Sequence, residues 1–75
     1  MIMEFLPKHK LDKLRHTYFR GLRIRLVSMN DFQAPPEGTA GTVEEVDDLG
    51  TIHVKWDNGC GLGVIPGEDV IDIIN

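Results

Sequence analysis

A single cysteine, Cys60, is all the thiol chemistry that 75 residues carry, so no disulfide can form within the chain. Long apolar runs are missing as well. The stretch 70–74 is interrupted by Asp72, far short of the roughly eighteen apolar residues that a membrane-spanning helix requires. The opening MIMEFLPKHK has neither the basic start nor the apolar length of a secretory signal. These absences predict a cytoplasmic protein without a membrane anchor. Aromatics are scarce too, with one Trp, one Tyr and three Phe. Beyond Phe5, any aromatic recognition groove must be built from Tyr18, Phe19, Phe32 and Trp56.

Catalytic and metal-binding spacings are equally absent. Cys60, His53 and Asp57 lie close enough in sequence to suggest a nucleophile, a base and an orienting acid. Nothing nearby supplies an oxyanion hole, however, and the simpler expectation is a structural cysteine. No CxxC, HxxxH or HExxH pattern joins these residues to His9 or His16, so no metal site is expected. Gly59-Cys60-Gly61-Leu62-Gly63 imitates a phosphate loop, but no helix follows to aim its N-terminus at an anion. Those glycines read instead as a place where a strand bends. The expectation is a non-enzyme with no catalytic residue, metal or cofactor.

Acid and base are present but segregated. Seven of the eight basic residues (Lys8, Lys10, Lys13, Arg15, Arg20, Arg23, Arg25) precede residue 26, alongside only Glu4 and Asp12. Beyond it, Lys55 stands against ten acids, for a net charge of −4. Such a split is compatible with a nucleic-acid surface at Arg15, Arg20, Arg23 and Arg25. The simpler expectation is a basic helix and first strand that neutralise an acidic body.

The remaining signals are those of one small domain. A chain of this length buries only about 60% of the surface it exposes when unfolded, and its stability is on the order of 4 to 11 kcal/mol. Leu11, Leu14 and Tyr18 are spaced to share one helical face, predicting a helix over residues 8–19 that begins at Pro7 and stops at Gly21. That face is expected to dock on the rest of the protein, or on a second copy as a homodimer. From Leu22 the period becomes two, with Leu22, Ile24 and Leu26 on one side. Residues 29–38, stiffened by Pro35 and Pro36, read as a long loop.

Strands are predicted at 39–46, 51–56, 60–65 and 70–74. A bulge near Glu44 and Glu45 restores the inward direction of Val46. Tight turns are predicted at 47–50 and at Asn58-Gly59, the latter of primed type, and a 3₁₀ turn at 66–69. Five short strands of this size are best closed into a barrel, which removes exposed edges. The predicted fold is mainly β: a five-stranded SH3-like barrel over residues 22–75, preceded by a helical segment over 1–21 that docks on it.

Several of these segments also resemble a known family. They are Arg23-Ile24-Arg25-Leu26, Gln33-Ala34-Pro35-Pro36, Gly38-Thr39, Gly41-Thr42-Val43, Val46-Asp47-Asp48, residues 52–59 (IHVKWDNG) and Pro66-Gly67-Glu68-Asp69. Together they are similar to a family of small uncharacterised bacterial proteins, domain of unknown function 4314, over nearly the whole chain. That family has no assigned activity, and its members often sit near genes of conjugative elements. The resemblance therefore implies a fold and a genomic neighbourhood, and no functional residue. Cys60 departs from the small polar residue that the resemblance leads one to expect.

The expected function is a non-enzymatic SH3-like module that binds another protein of the same, mobile-element-like system. Recognition on a rigid scaffold usually lies in its loops, so Phe32, Pro35, Pro36 and Trp56 are the candidate partner-binding residues. Trp56 alternates with Ile52 and Val54, which also makes it a candidate for the core. The alternative is a nucleic-acid-binding accessory protein that uses Arg15, Arg20, Arg23 and Arg25.

Overall fold

Residues 6–74 are described by a computed structural model. One helix, α1 (Lys8–Thr17), precedes four strands: β1 (Arg23–Ser28), β2 (Ala40–Val46), β3 (Ile52–Trp56) and β4 (Val70–Ile73). The strands form one antiparallel sheet in the order β3-β2-β1-β4. Alternation decides its faces: Leu22, Ile24 and Leu26 point inward with Val43, Ile52, Val54 and Trp56. Trp56, with only 1% of its surface exposed, is the largest fully buried side chain.

The predicted bulge is present, between Val43 and Glu45 where β2 crosses β3. It lets Val46 return to the inner face after two exposed glutamates. Both hairpin turns differ from the primed type expected at Asn58-Gly59. The Trp56 N–H bonds to the Cys60 carbonyl and the Gly59 N–H to the Trp56 carbonyl. Gly59 has φ +90° and no non-glycine residue among those described has a positive φ, so Asn58 cannot occupy a primed turn. The arrangement is a three-residue loop whose last residue is left-handed. Asp48, Leu49 and Gly50 (φ +86°) repeat it between β2 and β3. At 66–69 the Glu68 N–H bonds to the Ile65 carbonyl around Pro66 and Gly67, with Gly67 at φ +91°. That is the residue order of a type II turn, in place of the expected 3₁₀ turn.

The largest correction is that the sheet has four strands and does not close. Residues 60–65 keep register with β3 at both ends, through Trp56 to Cys60 and the Ile52–Val64 pair of hydrogen bonds. Between them the Leu62 carbonyl turns to the indole Nε1–H of Trp56, at 2.8 Å, so the ladder is interrupted. A buried indole N–H must be bonded, and here its acceptor is the backbone of the would-be fifth strand. No ladder among the described residues joins 60–65 to β4, so the barrel expected over 22–75 is an open sheet with an irregular flap.

Helix α1 packs on β2 at the end where β2 turns into β3. Leu11 is buried, and Leu14 and Tyr18 lie against the core cluster. The face thus docks on the rest of the protein through Leu11, with Leu14 and Tyr18 half-buried. Arg15 ties the contact, its Nε donating to the Val46 carbonyl at 3.0 Å and its Nη2 to Asp48 at 2.8 Å. Arg15 and His16 in the last turn also suit the negative end of the helix dipole. The helix begins with Pro7 as its cap, whose carbonyl accepts from Lys10 and Leu11. It ends at Thr17, four residues short of Gly21, which serves the following turn, where the Leu22 N–H meets the Phe19 carbonyl.

Candidate interaction surface

Two of the basic residues of the first part of the chain are ion-paired with acids of the second. Arg15 bridges to Asp48 at 2.8 Å. Arg23 grips Asp57 with both nitrogens, at 2.8 and 2.7 Å, and adds a bond to Thr42. Arg25 lies directly across from Asp72 in the β1–β4 ladder, and Arg20 lines a cleft of about 260 Å³ with Glu44, Glu45 and His53. Of the four arginines named for a phosphate-binding surface, Arg15 and Arg23 are therefore held in ion pairs, whereas Arg20 and Arg25 share only a cleft or a register position with an acid. The four are also dispersed over the helix, the bulge of β2 and the outer face of the sheet. A phosphate backbone would have to displace the carboxylates held by Arg15 and Arg23.

The bidentate pair holds the Asp57 carboxyl below its usual range, chiefly through the hydrogen bonds from Arg23. The sequence offered no signal for it, because Arg23 and Asp57 become neighbours only through the β1–β2–β3 register.

Cys60, His53 and Asp57 are not brought together. His53 Nε2 faces Asp47 Oδ2 at 2.8 Å, Asp57 is held by Arg23, and Cys60 packs against the core with its Sγ 3.9 Å from the Gln33 carbonyl. No group of three or more His, Cys, Asp or Glu side chains placed to hold a metal occurs among the described residues. No helix among them is long and apolar enough to cross a membrane.

Asp47, which sequence reasoning passed over as a turn residue, organises the β2–β3 hairpin. Its Oδ1 accepts from the N–H groups of Leu49 and Thr51, at 2.9 and 3.0 Å, while Oδ2 takes His53. The signal was available, since an Asp that opens a turn commonly bonds the backbone two residues on. The bond from His53, then those from Thr51 and Leu49, lower the Asp47 pKa against an opposing desolvation. A carboxylate whose folded pKa is depressed stabilises above its unfolded pKa, about 3.9, and loses that contribution as the pH falls through the folded value. Urea melts taken across the acid range will therefore show stability falling below about pH 4, with a shallower fall for Asp47→Asn. Identical acid limbs for the two proteins would refute this role.

The four candidate partner-binding residues separate. Trp56 is in the core and Pro35 is buried, so neither lines an open groove. Pro36 is exposed, and Phe32 is 96% exposed. The loop that carries Phe32 is nevertheless well tied. Asp31 Oδ1 accepts from the Gln33 N–H and the Asp31 carbonyl from Ala34. Thr39 closes on the Pro36 carbonyl with both its hydroxyl and its N–H, and the Gly38 N–H reaches the Leu26 carbonyl.

Set against known proteins, residues 7–74 match a family model described as Domain of unknown function (DUF4314). No curated protein matches the chain.

Proposed function

We propose that this chain, which belongs to the DUF4314 family, is a non-enzymatic, SH3-like interaction module that binds another protein in the cytoplasm and uses Phe32 as its anchor. The observation that carries the reading is a phenylalanine 96% exposed at the tip of a loop fastened by its own hydrogen bonds. Burying such a side chain on a partner is worth about 1.5 to 3 kcal/mol, and a loop already held in shape loses little further entropy on binding. Supporting the SH3-like part are the strand order, the long loop between β1 and β2, and the flap at 60–65 bonded to β3 at both ends.

The test replaces Phe32 with a photo-reactive benzoylphenylalanine in cells that carry the gene. Illumination is expected to give a discrete adduct with one other protein, and none from the same group placed at Leu49. Adducts only with nucleic acid would support the arginine-based alternative and defeat this one. No adduct at all would defeat it too. Phe32→Asp is expected to keep the wild-type unfolding free energy within about 0.5 kcal/mol, which separates lost binding from lost folding.

A further inference from the structure

We propose that the outer edge of β4 is a strand-addition site for an extended segment of a partner protein that places a Lys or Arg opposite Asp72. The inference rests on the interaction-module reading and names a second, separate contact and the shape of what it takes.

The hydrogen-bond phase of the sheet carries the argument. The Leu22 carbonyl accepts from the Val43 N–H of β2, and Leu26 bonds with Thr39 and Gly38 in the loop before it, so the alternate residues of β1, Arg23 and Arg25, face β4. The bond from the Ile74 N–H to the Arg23 carbonyl agrees, and it makes Arg25 and Asp72 the next hydrogen-bonded pair. Ile71 and Ile73, opposite Leu26 and Ile24, are then the non-hydrogen-bonded pairs. Their N–H and C=O groups point away from β1, where no strand among the described residues meets them. The opposite edge of the sheet is different, because Ile52 and Trp56 of β3 are bonded by residues 60–64. A row of backbone donors and acceptors on β-branched residues is a template for an extended chain and for little else. Val70 and Ile73, 50% and 51% exposed, flank it with apolar surface.

Charge chooses the occupant. A strand added at this edge would bond through Ile71 and Ile73 and set Asp72 in a close, non-hydrogen-bonded pair, where opposite charges attract and like charges repel. A second copy pairing antiparallel through both isoleucines would put Asp72 against its own counterpart. A foreign segment with a basic residue there sets it next to the Asp72 carboxylate, with Arg25 on the far side of Asp72 and one strand further away.

The probe is a synthetic alternating valine–threonine peptide with one central lysine, compared with the same peptide carrying aspartate. The readout is amide hydrogen exchange in the full chain, followed by NMR. The lysine peptide is expected to slow exchange at Ile71 and Ile73 by about tenfold or more, and the aspartate peptide to bind about fivefold more weakly. Ile73→Pro removes an outward N–H without breaking a bond to β1, and is expected to abolish the slowing with the circular dichroism unchanged. Asp72→Lys, a change at an exposed position, is expected to reverse the peptide preference, and serves if the proline variant does not fold.

No slowing at about 1 mM peptide, or equal slowing by both peptides, overturns the proposal. So does protection that grows with protein concentration alone, which would mark a second copy, or protection already present in the free monomer. Edge protection without a Phe32 adduct would remove the loop reading and leave this one, and the converse result would do the reverse.

Discussion

Trp56→Ala will come close to unfolding the domain. Removing a buried tryptophan costs about 3 to 5 kcal/mol, against a total on the order of 4 to 11 kcal/mol for a chain of this length. The indole is the largest side chain of the buried cluster that also holds Ile24, Val43, Val54 and Val64. It is also what the Leu62 carbonyl is bonded to, so its loss both opens a cavity and frees the flap. Trp56→Phe separates the two effects, because it keeps most of the apolar volume and removes only the donor. Its cost is expected to be smaller, with the change in amide exchange concentrated in residues 60–65. Urea denaturation gives the free energies, and a loss below about 1 kcal/mol in the alanine variant would mean that the tryptophan does not contribute to the core as its burial implies.

Gly41→Ala is the second large effect, and its sign runs against propensity. Glycine within a strand ordinarily costs about 0.5 to 1 kcal/mol relative to alanine, so the substitution would stabilise an unconstrained site. Here a Cβ would stand 2.7 Å from Val54 Cγ1, 2.8 Å from Trp56 Cε3 and 3.2 Å from the Lys55 carbonyl. Neither side chain can retreat from a packed core, and overpacking of this kind costs about 1 to 3 kcal/mol. For a domain this small, each kcal/mol moves the thermal midpoint by about 4 to 8 °C. Gly61→Ala is the control, since nothing lies within 4 Å of the Cβ it would add. A double-mutant cycle with Trp56→Leu tests the cause, because a smaller side chain at 56 makes room for the methyl group. The expected coupling is about 0.5 kcal/mol or more. Additive losses would place the strain elsewhere.

Phe32 and the β4 edge share a physical feature. Each is surface that no other part of the described residues covers, an apolar side chain in one case and apolar-flanked backbone in the other. The cleft at Arg20, Glu44, Glu45 and His53 is by contrast lined by residues of mixed charge. Among the features of this surface, Phe32 and the edge carry the stronger functional reading.

Local pattern was sufficient for much of this protein. The spacing of Leu11, Leu14 and Tyr18 placed the helix and its inward face, and the alternation at Leu22, Ile24 and Leu26 placed β1. The break between Val43 and Val46 located the bulge, and glycines 50, 59 and 67 located the turns. These signals act over a few residues, where steric limits on φ and the two backbone periods decide the outcome. Membership of the DUF4314 family was legible by the same means, in short motifs spread along the chain.

What the tertiary structure alone decided depended on partners distant in sequence. A backbone carbonyl at Leu62 answered a buried indole before it could join a ladder, so five strands became four and the barrel stayed open. Register across the sheet set Arg23 against Asp57 and Arg25 across from Asp72, bringing bases of the first part of the chain next to acids of the second. Pro35 and Trp56 went inward and Phe32 outward, although all three were named as candidates for recognition, Trp56 with the core as its simpler expectation. The same register left the backbone of Ile71 and Ile73 facing outward. Short-range periodicity sets which elements form, whereas burial and hydrogen-bond satisfaction across the sheet determine which of their groups remain free to act.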